Sequence, residues 1–303
     1  MKKVSTVSKI SIILIMVFSM FYVGCKKDRI KDNSLNAYDS PDSYLDSKEP
    51  EEQTIPIDSG GTGPAMGNQG TKLWGTDPHT CLMYVNDTHK VYYPYVLKLV
   101  ELYKPKDMIY YRMPTVASGK ILQTGGEIRL RAFKDNKELT FKPGGTCGMK
   151  IEFKNPAPVM GMNIFYGFTN GAGHPDWTDQ PTGAMTKTVY GYEGYTQKFG
   201  WINCDQYADS SSSATVSFSS TVDELTNIRF FIYIPKTKTV MEVYNTVSDN
   251  IPIGSDIKIV GIGMQGSTLF SFYDARKLTS SATIDVEMKQ TTDVELTTLL
   301  DGL

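Results

Sequence analysis

Glu127-Ile128-Arg129-Leu130-Arg131-Ala132-Phe133 alternates charged and apolar residues as far as Ala132. Successive side chains of a strand point to opposite faces, so this order yields one apolar and one polar face, the mark of a half-buried β-strand. The same period runs through Val96-Leu97-Lys98-Leu99-Val100-Glu101-Leu102, Met149-Lys150-Ile151-Glu152-Phe153 and Met162-Asn163-Ile164-Phe165-Tyr166. A helix over Tyr95 to Leu102 is the weaker reading, because its β-branched residues and its alternation favour a strand. Turn chemistry separates these runs at Ala117-Ser118-Gly119-Lys120, Gly125-Gly126, Asp135-Asn136-Lys137 and Pro143-Gly144-Gly145. Short strands at this spacing predict a β-sandwich over residues 71–170.

Residues 171–198 form a polar bridge rich in aromatic residues and glycine. Beyond it the strand pattern resumes at Ala214 to Phe218, Ile228 to Ile234, Val240 to Val247, Ile257 to Ile262, Thr268 to Tyr273 and Ala282 to Met288. The last dozen residues break the period. Asp293 can cap a helix there, with Val294, Leu296, Leu299 and Leu300 on one largely apolar side. The expectation is a mainly β chain of two sandwich-like modules, 71–170 and 199–303, the second ending in a short helix packed on its sheet.

The N-terminus carries an address. Lys2 and Lys3 precede an apolar run from Ile10 to Val23, then Gly24 and Cys25, the charged, hydrophobic and small-residue layout of an export signal. Tyr22-Val23-Gly24-Cys25 resembles a bacterial lipobox, which implies cleavage after residue 24 and a diacylglycerol on the Cys25 sulfur, with palmitate-type acylation. The run of about 14 apolar residues is shorter than the ~20 that a helix needs to cross a bilayer. Several acyl chains make a firm membrane anchor where one is marginal. From residue 25 to about 70 the chain is rich in Asp, Glu, Ser, Pro and Gly, as in Asp39-Ser40-Pro41-Asp42-Ser43, and reads as a lipidated, disordered tether.

Loss of residues 1–24 removes Lys2, Lys3 and Lys9 and no acid, which carries the formal charge from −2 to −5. An acidic export product lacks the basic footprint of a nucleic-acid binder. With Cys25 lipidated, Cys81, Cys147 and Cys204 remain, enough for one disulfide and one spare thiol or for three unpaired thiols; the spacing does not select a pair.

Asp107-Met108-Ile109, Met113-Pro114-Thr115 and Leu122-Gln123-Thr124-Gly125-Gly126-Glu127-Ile128 resemble a group of exported lipoproteins of Bacteroidetes-type bacteria. Phe199-Gly200-Trp201-Ile202-Asn203-Cys204-Asp205-Gln206-Tyr207 resembles their Gly-Trp-(Val/Ile)-Asn-Cys-Asp-Arg-(Phe/Tyr) signature, with Gln206 in place of the arginine. The first region is also similar to the ZU-type sandwich of cytoskeletal adaptors. The resemblance spans about residues 85–303 and implies a β-rich envelope protein anchored in the outer membrane; it brings no catalytic residues. Pro78-His79-Thr80-Cys81 has no counterpart in it.

Candidate sites are few. Gly261-Ile262-Gly263-Met264-Gln265-Gly266, with Asp285 beyond it, matches a dinucleotide fingerprint in letters, but Ser267 to Phe272 reads as a strand and not as the helix that would hold a pyrophosphate. A glycine-rich hairpin is the expectation. His79 and Cys81 would make half a zinc site without a second half, and Asp176 and Asp179 flank Trp177 without calcium-loop spacing. Cys147 with His174 lacks a nucleophile motif. No cofactor, metal or catalytic residue is assigned.

Trp177, Tyr190, Tyr192, Tyr195, Phe199, Trp201 and Tyr207 crowd a short, glycine-containing stretch. Trp201 reads as core, while Trp177, Tyr192 and Tyr195 are the candidate ligand-contacting aromatics. The expected function is binding or structure at the cell envelope, with a glycan or an envelope protein as partner. The alternative is a carbohydrate-active hydrolase of the periplasm or surface, which a pocket with two carboxylates would favour, whereas a flat aromatic patch favours a binder. The basic run Lys26-Lys27-Asp28-Arg29 leans towards the periplasmic face and leaves the surface face open.

Overall fold

Alternation in Glu127 to Phe133 has its counterpart in a fifteen-residue strand, Lys120–Lys134, at the centre of a ten-stranded antiparallel sheet in the computed structural model. The structure describes residues 34–61, 63–208 and 212–303; the export signal and Cys25 lie outside these residues. The chain is mainly β, in sandwich-like layers, with a short C-terminal helix. No helix among the described residues is long and apolar enough to cross a membrane.

The long strand pairs with Tyr95–Leu102 on one side and with Gly200–Tyr207 on the other. A smaller sheet of five strands, including Lys72–Trp74, Met149–Lys154 and Gly191–Thr196, packs against one face of this large sheet. Between them lie Leu97, Leu99, Ile128, Leu130, Ile151, Phe153 and Ile202, each fully buried. The opposite face of the large sheet carries Val100, Leu102, Phe165 and Trp177, which pack against a third sheet through Phe231, Tyr233, Val240, Val260 and Ile262. Arg229–Ile234 of that third sheet is buried on both faces from Phe230 onward, because Phe230, Ile232 and Ile234 turn away into another core with Val216, Phe218 and Ile284. That explains its unbroken apolar run, and each such buried side chain contributes about 1.5–3 kcal/mol.

Hairpins fall where turn residues predict them. Ser118 and Gly119, and likewise Asp135 and Asn136, take positive φ in two-residue loops. Asp256–Gln265 and Thr268–Lys277 pair along their whole length about Gly266, so the glycine-rich fingerprint is a hairpin. The terminal helix, Asp293–Asp301, starts from a capping box of Thr292 and Glu295 and buries Leu296 and Leu300 against the third sheet and the helix Pro105–Tyr111.

Several expectations need correction. Residues 36–70 are no free tether: Leu45 is fully buried, and Gln53–Ile57 pairs with Tyr95 to Leu99. The bridge 171–198 belongs to the first sandwich, since Gly191–Thr196 pairs with Met149–Lys154. Gly200–Tyr207, expected to open the second module, is an inner strand of the large sheet, so the division between the layers falls near residue 208. Pro105–Tyr111 is a helix that the strand-based reading omits. Gly125-Gly126 is not a turn but a bulge inside the long strand, where two residues stand opposite Cys204 between the pairs Thr124–Asp205 and Glu127–Asn203.

Candidate functional site

The three candidate aromatics part company. Trp177 is fully buried, and its Nε1 donates to the Pro114 carbonyl. Tyr192 is also core, its hydroxyl accepting the Val159 N–H at 2.7 Å. Tyr195 alone is open, with 65% exposure. Strand geometry accounts for this: Tyr192 and Tyr195 are three residues apart in Gly191–Thr196, so one faces the core and the other the solvent. Trp177 and Tyr192 are therefore withdrawn as ligand contacts.

Register across the small sheet sets Tyr195 opposite Lys150, and Lys150 opposite Trp74. Lys150 Nζ lies 4.4 Å from the Trp74 ring and 2.7 Å from the Glu193 carboxylate. Hydrogen bonding to Glu193 raises the Lys150 pKa, so the amine is charged. In the next row Lys72, Glu152 and Glu193 are cross-strand neighbours. Lys72 Nζ sits 2.7 Å from Glu152 and 3.4 Å from the Tyr190 ring centroid. Burial pushes Glu152 up, but hydrogen bonds from Lys72 and Thr188 outweigh it and hold the carboxyl below its usual range. The outer face of this sheet thus sets rings beside paired charges. Rings stack on apolar faces of a ligand and the ion pairs offer donors and acceptors beside them. Trp74 and Lys150 carry no motif; their pairing appears only once the register of three distant segments is known.

The other polar cluster is internal. Glu127, Asn203 and Asp205 have no exposed surface. Asn203 Nδ2 donates to Glu127 Oε1 at 3.4 Å and to Asp205, while Thr124 Oγ1 lies 3.3 Å from Asn203 Oδ1. Glu127 Oε2 and Asp205 Oδ1 have no partner. Burial, reinforced by Asp205, pushes the Glu127 carboxyl well above its ordinary value; burial does the same to Asp205 against the hydrogen bonds it accepts. A cavity of about 220 Å³ adjoins the bulge at Thr124, Gly125 and Gly126, but neither carboxyl lines it. A hydrolytic pair has to reach its substrate, and these two do not.

The remaining candidates are also placed. Cys81 and Cys147 form a disulfide, which removes Cys81 from any zinc reading with His79 and Cys147 from any thiol pairing with His174. His79 stacks on Tyr92, and His174 stacks on Tyr244 with centroids 3.6 Å apart. Asp176 accepts from the Ser118 and Trp177 amides, an arrangement that shapes the turn. No group of three or more His, Cys, Asp or Glu among the described residues is arranged to hold a metal. Cys204 is a buried thiol whose pKa is pushed well up by burial and by Asp205, the state of an unreactive cysteine.

Comparison with protein-family models, curated proteins and solved structures finds no match to this chain.

Proposed function

We propose that this chain is a lipid-anchored cell-envelope protein that acts by binding an envelope glycan or an envelope protein. The observation that carries the reading is the solvent-facing row Trp74, Lys150 and Tyr195 on the small sheet. The export-signal layout ending at Cys25 supplies the anchor and the outer-membrane location, with the likeness to Bacteroidetes-type exported lipoproteins, and of the first sandwich to ZU-type modules, as part of the same reading. Binding is favoured over carbohydrate hydrolysis because Glu127 and Asp205 are sealed in the interior, whereas Tyr195 is open to solvent beside the half-buried Trp74 and Lys150.

Three measurements test it. Metabolic labelling with palmitate marks the wild-type chain and leaves a Cys25→Ala variant unlabelled; label on the variant overturns the anchor. Purified protein is then titrated against isolated cell envelopes, stripped in parallel of glycan or of protein. A Tyr195→Ala variant with unchanged unfolding loses retention, and undiminished retention overturns the assignment of this face. Protease treatment of intact cells, with lysed cells as control, separates a surface from a periplasmic location.

A further inference from the structure

Near the rim where the third sheet meets the large sheet, the polar face of the long strand carries two arginines beyond the buried Glu127. Arg129 and Arg131 lie two residues apart on it, and Lys98 is the cross-strand partner of Arg131. Aromatic rings are interleaved with them. The Arg129 guanidinium is 5.5 Å from the Trp201 ring and 5.7 Å from Tyr111, and these two rings meet edge to face with centroids 5.5 Å apart. Arg131 lies 5.1 Å from the Phe133 ring.

A single carboxylate, Glu52, answers both arginines, taking Nη2 of Arg129 at 3.3 Å and Nη2 of Arg131 at 2.7 Å. Lys98 Nζ donates to the Thr54 hydroxyl at 2.7 Å, and its charge also helps hold Glu52 ionised. Glu49, another acid nearby, lies 3.8 Å from Arg112 and also feels the charge of Arg129. Arg129, Arg131 and Lys98 thus gather about the Glu52 carboxylate, with Glu49 also close to Arg129, on a chain that is acidic overall. Neither guanidinium uses its planar fork on Glu52, and Nε of each arginine is buried without a partner. The side chains keep 29% and 35% exposure, enough to be reached from solvent. Beside them an open cavity of about 650 Å³ is lined by Lys98, Arg131, Lys134 and Phe133, with Asp58 and Asp135 also on its wall.

We propose that this stripe binds a carboxylated sugar chain, a polymer of uronic-acid type. The inference rests on the binding reading above and names a ligand class for a second face. Arginine forks match carboxylates in a bidentate manner, and aromatic rings take the apolar face of a pyranose, so the alternation of the two along one strip fits a chain that repeats carboxylate and ring. An acidic peptide fits less well. The strip crosses paired strands instead of following a free sheet edge, so a peptide backbone finds no ladder to join.

The test is affinity electrophoresis of the mature chain through gels containing polygalacturonate or alginate, with dextran as a neutral glycan and polyglutamate as a charged chain without sugar rings. The uronates retard the wild type, the effect falls with added salt, and dextran leaves mobility unchanged. Arg131→Gln weakens retardation by about tenfold or more, the loss expected for a hydrogen bond between charged groups. Arg131→Lys restores only part of it, and both variants keep the wild-type unfolding midpoint. Absence of retardation by both uronates, equal retardation by polyglutamate, or an unaltered Arg131→Gln variant each overturns the proposal. Envelope binding that is lost in Tyr195→Ala but kept in Arg131→Gln leaves the small-sheet reading standing while this one falls.

Discussion

Glu127 and Asp205 share one donor, the side-chain amide of Asn203, and neither carboxyl has an ion-pair partner among the described residues. In the folded chain burial and the neighbouring acid keep the Glu127 proton on well above the ordinary range. The unfolded chain releases it at the ordinary value. Between those two points the folded state binds more protons, so stability falls as pH rises, by up to ~1.4 kcal/mol per pH unit for each such group. Glu127→Gln keeps the acceptor for Asn203 and removes the ionisation. The variant has a higher unfolding midpoint than the wild type at pH 8 and converges with it near pH 4, as denaturant titrations across pH will read. Parallel pH profiles for the two proteins would sink this account.

Buried and exposed aromatics of the former bridge respond in opposite ways. Trp177→Ala empties a fully buried site and strands the Pro114 carbonyl, which costs about 3–5 kcal/mol. Tyr195→Ala removes an exposed ring and changes stability by no more than about 0.5 kcal/mol. Chemical unfolding of both variants checks this, and a stability loss in Tyr195→Ala comparable to that in Trp177→Ala would contradict the burial pattern.

How much of this was legible without coordinates depends on the range of the contact. Local alternation identifies Glu127 to Phe133, and a glycine between two strand-like runs identifies the hairpin at Gly266. The separation of Tyr192 and Tyr195 by three residues already places them on opposite faces, so their divergence was readable once that segment was taken as a strand. The helix Pro105–Tyr111 has too few residues to show a period, and its one signal is proline at its first position. Gly125-Gly126 serves equally for a turn or a bulge; only the partner strand Gly200–Tyr207, some eighty residues on, decides. Pairings of that range also make the row Trp74, Lys150 and Tyr195 and the cluster of Glu127 with Asp205, and no local pattern encodes them.

The disulfide should emerge as Cys81–Cys147 in peptide maps made without reduction, with Cys204 alkylated only after unfolding. The bridge closes a sequence separation of 66 residues, and chain-entropy arguments put its contribution at about 4 kcal/mol, within the usual 2–5 kcal/mol for loss of a native bond. A Cys81→Ala/Cys147→Ala double variant loses stability in that range under oxidising conditions. Recovery of Cys204 in the bridge would refute the pairing.

Removal of residues up to 71 distinguishes a packed segment from a tether. Glu101 is 1% exposed, and its carboxylate is satisfied by donors from that segment: Gln53 Nε2 at 2.9 Å, the Gln69 N–H at 2.8 Å and the Thr71 N–H at 2.8 Å. The same segment seats Leu45 in the core with Met108 and Ile109, and brings Asp42 to Arg229 at 2.9 Å. A chain beginning at Lys72 therefore keeps Glu101 but loses all three of its donors, and leaving even one buried charged group unsatisfied costs upwards of about 1–3 kcal/mol. It also opens the long edge of Tyr95–Leu102, whose pairing with Gln53–Ile57 covers five residues. Such a chain should be unfolded or aggregate, whereas the mature protein shows a cooperative melt, as circular dichroism will show. Glu101→Gln in the full chain tests the same contact with one atom changed: its amide nitrogen meets an N–H donor where the carboxylate oxygen met a proton, so stability falls even though no backbone is removed. Equal melting of the Lys72 chain and the mature protein would mean that residues 36–70 contribute nothing to the fold.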